Sequence, residues 1–424
     1  MSDEQNPVQL HKTITLWKGV ALAVSTVIGS GLLGLPGMAL DIGSVHTVAG
    51  GWLIISVMLM PLVYIFAYLG QTFASSAGLS KYAQVSFGDW GGYAVSAVLC
   101  GTFVVGIPVL ALIGGAYANN MYGGSEKAVF GLAIGILVLA TGCNLLGMDA
   151  VNWINTASMI ALAVMTTVIV LSNTAFFFVG AHTFAETISG NVYLDYTGLW
   201  RTAALLFWAF IGWENLSFSM EEFKNPSRTI PAVYGISFVI VIALYMALTI
   251  TSIGAEVSGV SVRGASGLAS LVGRTVIGSL QTAIMVVVIT ANACAWIMGA
   301  SRLYYASGRD RILPSMLGKL TGKGIPLNSL VLSLAMYSAV IVVAYYLELP
   351  PANLVLVVSQ NFLILYVISI VAYWKTERRN RRWIVTLLGV LSCGFLLSGF
   401  SWWVIYPLFL LGVGYGNYRL TRPL

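Results

Sequence analysis

The sequence predicts an all-α integral membrane protein of twelve transmembrane helices, and three observations predict it. Of 424 residues, 58% are hydrophobic and only 8% are charged, and mean hydropathy is +0.87, a balance foreign to soluble globular chains. Apolar runs of about 20 residues, the length that crosses a hydrocarbon core, recur from one end to the other. Two of them are broken in the middle by glycine and polar residues, at Ser25-Thr-Val-Ile-Gly-Ser-Gly-Leu-Leu-Gly-Leu-Pro36 and Phe207-Trp-Ala-Phe-Ile-Gly-Trp-Glu-Asn-Leu216.

Taken in order, the spans are expected at 17–40, which holds the first break; 46–70; 91–118, with Thr102; 127–147; and 152–179, with Asn155 and Ser158 but no lysine or arginine. The sixth, 198–220, holds the second break and Glu214. There follow 231–255; 274–305, with Thr290, Asn292 and Trp296; 327–347; 352–374, with Ser359, Gln360 and Asn361; 383–400; and 402–419. Connectors near 71–90, 180–200, 256–273 and 306–326 read as hydrophilic, and none is long enough for a soluble domain. The breaks share Ile-Gly (Ile28-Gly29 and Ile211-Gly212) and begin five spans apart. A repeat of five spans inserts its second copy upside down. The expected organisation is a single membrane domain over 1–424, with repeats at 15–179 and 198–374 and two added helices at 383–419.

Charge sets the orientation. With a cytoplasmic N-terminus, 17 of the 21 basic residues fall in inner segments, and only Lys127, Arg201, Arg263 and Arg274 fall outside, as the positive-inside rule requires. The net charge of +6 is thus a topology signal, and no nucleic-acid partner is implied. Arg378-Arg-Asn-Arg-Arg382 fits topogenesis, with contact to anionic headgroups as a second reading. Cys100, Cys143, Cys294 and Cys393 all lie within expected spans, unlike a disulfide framework or zinc site; no metal or cofactor is expected. The first apolar run lacks a small-residue cleavage site, so span 1 should stay attached.

A break at membrane depth carries information because hydrocarbon offers no partner to an open backbone. Such a stretch survives only beside protein or a wet cavity. Paired breaks in two halves point to a transporter's binding site, where half-helix N-termini hold anions and freed carbonyls hold cations. The alternative is a pair of ordinary glycine-containing spans. Ionisable residues at that depth are functional candidates, and Glu214 is essentially the only one. A proton site and a carboxylic acid pinning the break are both open readings. His11 and His182 lie outside the spans and His46 at the very start of one, which excludes a buried histidine relay. The mid-span polar residues should face the bundle interior. Trp208, Trp213 and Trp296 sit near the breaks rather than at span ends; packing and closure over a substrate are both open, closure least for Trp213.

These residues resemble the amino acid–polyamine–organocation family, whose fold is the leucine-transporter-like pair of inverted five-helix repeats with helices 1 and 6 unwound. Ile28-Gly-Ser-Gly-Leu-Leu-Gly-Leu-Pro36 is similar to its first-helix signature. Phe207-Trp-Ala-Phe-Ile-Gly-Trp-Glu214 with Glu221-Glu-Phe-Lys-Asn-Pro-Ser-Arg-Thr-Ile-Pro231 is similar to helix 6 and the loop after it. Ser301-Arg-Leu-Tyr-Tyr-Ala-Ser-Gly-Arg-Asp-Arg-Ile-Leu-Pro314 is similar to the end of helix 8. Length and Ser75-Ser-Ala-Gly-Leu-Ser-Lys-Tyr82 most resemble the bacterial branch that exports neutral amino acids such as methionine and the branched-chain ones. The resemblance implies that N–H groups of Gly29, Ser30 and Gly31 receive the substrate carboxylate, that carbonyls of Val27, Trp208 and Ile211 receive its ammonium, and that Trp208 and Trp296 close over it. Pocket candidates are Gly101–Pro108, Asn292, Ser359, Gln360 and Asn361. Residues 152–179 lack the lysine that replaces sodium in some relatives, and Thr290 with Asn292 does not make a sodium site.

The expected function is therefore export or exchange of neutral, mostly hydrophobic amino acids across the bacterial cytoplasmic membrane, with both termini cytoplasmic. Proton coupling through Glu214, exchange and uncoupled efflux stay open, as does the oligomeric state. The absence of a second buried carboxylate argues against a cationic substrate, though a cationic amino acid or polyamine exchanger is the alternative. An integral-membrane enzyme would need a histidine, a metal cluster or a carboxylate pair, which the spans lack.

Overall fold

Backbone polar groups inside hydrocarbon must be satisfied within their own segment, and the chain answers almost entirely with helix. The computed structural model describes residues 12, 14–74, 78–190, 192, 194–273, 275–309, 313–322, 324–398 and 402–421. No strand occurs among them beyond an isolated bridge between Ile14 and Phe223. In chain order the helices are α1 (Leu16–Val27), α2 (Ser30–Ile42), α3 (Val45–Met58), α4 (Met60–Phe73), α5 (Gly78–Phe87) and α6 (Asp89–Tyr122). Then come α7 (Ala128–Asn144), α8 (Met148–Ser172), α9 (Thr174–Ser189), α10 (Tyr196–Leu206), α11 (Trp213–Leu216) and α12 (Pro226–Val257). The last are α13 (Ala269–Val272), α14 (Val276–Arg309), α15 (Leu327–Tyr346), α16 (Pro351–Thr376), α17 (Arg381–Ser398) and α18 (Ile405–Thr421). Among the described residues seven helical stretches are long and apolar enough to cross a bilayer, α3 and α4 counting as one, and α1 with α2, bent by 43° where they meet, makes an eighth. The chain is a multi-pass membrane protein.

The helices α2, α6, α10 and α16 are the most enclosed, and the core gathers around them. A connecting segment fastens onto α2. Arg263 pairs with Glu256 at 2.7 Å and also donates to the Leu40 carbonyl, so the segment after α12 is tied to the end of α2. At the other end of the break, Ile14 N–H donates to Glu222 O at 3.0 Å and Lys224 N–H to Ile14 O at 2.9 Å. The start of the chain is thereby joined to the segment that follows α11.

The structure departs from the expected spans most clearly after residue 172. The run 152–179 is two helices: α8 stops at Ser172, Asn173 breaks the path, and α9 continues to Ser189 through a segment expected to be a hydrophilic loop. The reason is a face rather than a density. Gly180, Thr183, Phe184 and Thr187 recur at spacings of three and four and are buried, a helical stripe, while Phe178, Glu186 and Ile188 face outward. The expected end of the first repeat at 179 falls inside this helix. Two glycines let α9 lie against α12: a Cβ on Gly180 would run into the Ile250 carbonyl, and one on Gly254 into the Phe176 carbonyl. Small residues of this kind permit close backbone approach. Because the obstacle is backbone, Gly254→Val should lower the thermal midpoint in detergent by several degrees, overpacking costing about 1–3 kcal/mol. Gly235→Val, whose Cβ meets open space on the same helix, should leave it nearly unchanged; equal midpoints would rule out the close contact.

Other expected loops also contain helix, α5 within 71–90 and α13 within 256–273. Of the interior polar residues, Thr102, Asn292, Ser359, Gln360 and Asn361 are buried. Thr290, Asn155 and Ser158 are only half-buried; the hydroxyls of Thr290 and Ser158 bond to carbonyls of their own helices, Val286 and Asn155, which satisfies them without an inward face. All four cysteines are free. His11, Ser75–Ala77, Arg274, Asp310–Ile312, Lys323, residues 399–401 and Arg422 lie outside the described residues.

At the turn from α16 to α17, Glu377 is buried and Arg381 Nε lies 2.8 Å from its carboxylate, with the guanidinium also over the Tyr64 and Tyr68 rings. Burial pushes the Glu377 carboxyl up, but the Arg379 and Arg378 amides and the Arg381 guanidinium outweigh it and hold the group below its ordinary value. A depressed carboxyl stabilises the fold above its unfolded value, and that contribution is lost as pH falls through the folded one. Glu377→Gln should therefore lower the thermal midpoint at pH 7, and the difference from the unmodified protein should shrink as pH falls below about 4.3, the ordinary glutamate value, and vanish once it is below the depressed one. A difference that persists under acid would assign the loss to packing instead.

Candidate functional site

The two breaks are built from neighbouring residues in each segment. α1 ends as Ser25 and Thr26 turn their hydroxyls onto the Leu22 and Ala23 carbonyls, at 2.8 and 2.9 Å. Ile28 is extended (φ −84°, ψ 118°), and Gly29 (φ −144°, ψ −148°) precedes the first turn of α2. In the second break α10 tightens into a 3₁₀ turn at Phe207–Phe210, Ile211 is extended (φ −81°, ψ 132°), and Gly212 takes φ +135°. Only glycine suits that position. A Cβ on Gly212 would also stand 2.5 Å from Thr26 O and 2.8 Å from Val27 Cα, so the second break lies directly on the end of α1. Likewise a Cβ on Gly31 would reach Trp208 Cδ1 at 2.9 Å and Tyr245 Oη at 3.0 Å.

Between the breaks lies a small cavity lined by residues of both. One end is polar, formed by Gly29, Ser30, Gly31 and Asn292. The remaining wall is mostly apolar, with Phe103, Ile107 and Leu110 from α6, Trp296 from α14, and Val358 and Phe362 from α16. No ionisable side chain lines it. Phe103 and Trp296 meet edge to face, with centroids 5.8 Å apart.

The structure brings Val27, Gly29, Ser30, Gly31, Trp208, Ile211, Asn292 and Trp296 together around this cavity. It does not bring Ser359, Gln360 and Asn361 there. Val358 and Phe362, one helical turn apart, present the face of α16 that lines the cavity, and the three polar residues occupy the rest of that turn. They are buried, and neither the Ser359 hydroxyl nor the two amides have a hydrogen-bond partner among the described residues. Leu110, Val358, Phe362 and Tyr245 were not singled out by sequence. The spacing of Phe103, Ile107 and Leu110 at four and three was the available signal for the α6 wall.

The orphan groups at the α2 N-terminus are the chemically active part. The first N–H groups of a helix have no intrahelical acceptor and carry a partial positive charge. Leu32 N–H takes Gly29 O at 3.1 Å, Ser30 N–H takes Asn292 Oδ1 at 3.2 Å, and Gly29 N–H has no acceptor among the described residues. Ser30 Oγ and Tyr245 Oη are buried without partners. An anion placed here would meet the Gly29 N–H directly and would compete with Asn292 Oδ1 for the Ser30 N–H.

Glu214 is fully buried two residues beyond Gly212, outside the cavity lining. Its Oε2 lies 3.4 Å from Tyr366 Oη, which in turn lies 3.0 Å from the Phe210 carbonyl; Oε1 has no partner. Tyr234 Oη donates to Trp213 O at 3.0 Å. A tyrosine hydroxyl carries one proton. If it points at Phe210 O, the bond between Tyr366 and Glu214 needs a proton on the carboxyl; if Glu214 is ionised, the hydroxyl turns to it and Phe210 O is released. The bond pinning the second break thus depends on whether Glu214 carries a proton.

Comparison with known proteins shows the family. Residues 14–414 match the family model described as amino acid permease. The chain is 25% identical over 412 residues to the uncharacterized amino acid permease YecA of Bacillus subtilis (strain 168), covering 96% of this chain and 95% of that one. It is 22% identical over 408 residues to the L-methionine/branched-chain amino acid exporter YjeH of Escherichia coli (strain K12), covering 95% of each. It is 23% identical over 401 residues to the branched-chain amino acid permease BcaP of Lactococcus lactis subsp. cremoris (strain MG1363), covering 87% and 83%.

Proposed function

From the premise that the chain belongs to the amino acid permease family, a family of transporters rather than enzymes, we propose that it moves neutral, mostly hydrophobic amino acids across the cytoplasmic membrane by alternating access. The observation that carries this reading is the cavity itself, with the N-terminal N–H groups of α2 at one end, an apolar wall at the other, and no ionisable side chain among the described residues of its lining. The substrate carboxylate sits at the N–H groups of Gly29, Ser30 and Gly31. Its ammonium faces the carbonyls of Val27, Trp208 and Ile211, although Trp208 O already accepts from Ile211 N–H at 3.2 Å and offers only its second lone pair. An aliphatic or thioether side chain fills the space against Phe103, Ile107 and Phe362, and Trp208 and Trp296 close over it. A cationic side chain would lose its hydration there with no counter-charge in reach.

In this reading the chain crosses the membrane twelve times with both termini cytoplasmic. α1 with α2 forms the first crossing and α10 with α11 the sixth, the unwound members of repeats spanning 15–179 and 198–374; α17 and α18 are the two added helices. Similarity to the L-methionine/branched-chain amino acid exporter of Escherichia coli favours export or exchange of these substrates. Glu214 is the coupling group, because its proton decides whether Tyr366 holds the Phe210 carbonyl.

The test is counterflow in proteoliposomes loaded with neutral amino acids, following labelled leucine and methionine with and without a pH gradient. Saturable flux that responds to the gradient is expected. Flux with arginine or putrescine alone would replace this reading with a cationic exchanger, and silence with every substrate would remove it.

A further inference from the structure

The donor at the start of α2 is not empty. Ser30 N–H points at Asn292 Oδ1, 3.2 Å away, on a helix 262 residues further along the chain. The chemistry orients the amide, since only its oxygen can accept from an N–H. The carboxamide lies flat on Gly29: a Cβ there would stand 2.6 Å from Oδ1, 2.8 Å from Nδ2 and 2.9 Å from Cγ. Asn292 is only 7% exposed and lines the same cavity. Its stretch of α14 is held in place nearby, where Asn144 Nδ2 donates to Cys294 O at 3.0 Å. Beside this bond, Ser30 Oγ is 1% exposed and unpartnered. The end of α2 is therefore partly occupied by a neutral acceptor and partly unsatisfied.

We infer that Asn292 is a placeholder for the substrate carboxylate: its amide oxygen occupies the Ser30 donor in the empty protein, and an amino acid binds by exchanging that oxygen for one of its own. The inference rests on the carboxylate cradle proposed above. A carboxylate wins the exchange because a charge-assisted hydrogen bond is roughly twice as strong as a neutral one and because the helix end favours a full negative charge. The placeholder nonetheless weakens binding, since the incoming group must displace an existing partner. It also speeds release, because the buried donor does not stay bare as the substrate leaves. Amines without a carboxylate have nothing to exchange, so Asn292 contributes to selection of amino acids over their decarboxylated counterparts.

Equilibrium binding of labelled leucine and methionine to the purified full chain at pH 7 tests this with three variants. Asn292→Ala should bind about three- to tenfold more tightly than the unmodified protein, the worth of one neutral hydrogen bond, and release more slowly. Asn292→Asp keeps the shape but puts a competing carboxylate on the donor. It should bind at least about tenfold more weakly at pH 7. Weaker or unchanged binding by Asn292→Ala overturns the placeholder. If that variant does not fold, Asn292→Asp decides: binding equal to that of the unmodified protein overturns it. Ser30→Pro separates the two ideas. Normal binding by Ser30→Pro, or no binding of either amino acid by the unmodified protein, removes the cradle and the placeholder with it. Loss of binding in Ser30→Pro alongside unchanged Asn292 variants removes the placeholder alone.

Discussion

Ser30→Pro is expected to abolish saturable leucine binding while leaving the protein folded. Ser30 is the first residue of α2, the helical position at which proline is best tolerated, because its N–H has no intrahelical partner and its fixed φ suits a helix start. The substitution therefore deletes one donor with little damage to the helix. That donor is the one the structure aims at an acceptor across the cavity. A hydrogen bond to a charged group contributes about 1.5–3 kcal/mol, which corresponds to a loss of roughly ten- to 150-fold in affinity, and the proline ring crowds the place where the carboxylate would lie. Ser30→Ala keeps the N–H and removes only the unpartnered hydroxyl, so it should lose much less. Binding assays on the two variants, with a thermal melt to check folding, decide the matter; unmodified affinity in Ser30→Pro would refute the cradle.

Glu214→Gln should uncouple transport from the pH gradient without stopping exchange. Glutamine has the size of the protonated acid and a permanent donor toward Tyr366, so it holds the arrangement in which the tyrosine hydroxyl serves the Phe210 carbonyl. Gradient-driven leucine accumulation is expected to disappear. Tracer exchange at zero gradient should stay within about threefold, a barrier change of about 0.6 kcal/mol. Tyr366→Phe removes both bonds and should lose accumulation as well, with a larger fall in exchange because the second break is no longer pinned. Gradient-driven accumulation by Glu214→Gln equal to that of the unmodified protein would leave Glu214 a purely structural acid.

The end of α1 at Val27, the extended residues 28–29 and the turn at Gly212 were legible because a glycine or hydroxyl inside an apolar run is a local signal. The nature of Glu214 was legible for the same reason, as the one carboxylate in the middle of an apolar run. α9 was not, since its apolar density is too low for a span and its signal is the spacing of Gly180, Thr183, Phe184 and Thr187. On α16 the polar residues drew attention, yet Val358 and Phe362 face the cavity. Polarity says that a residue needs a partner; it does not say which way the helix is turned.

By itself, then, the sequence determined that this is a helical membrane protein, where its apolar runs lie, and where two of them are interrupted. Those outcomes follow from terms set within a few residues: transfer of side chains to hydrocarbon, backbone satisfaction inside one helix, and the tolerance of glycine for an open path. The tertiary structure alone decided that Gly212 rests on Thr26, that Asn292 reaches Ser30, and that Tyr366 stands between Glu214 and Phe210. Each of these joins residues more than 150 positions apart. Their meeting depends on the rotation and crossing of whole helices, which are set by the summed packing of many small contacts, and no local pattern carries that sum.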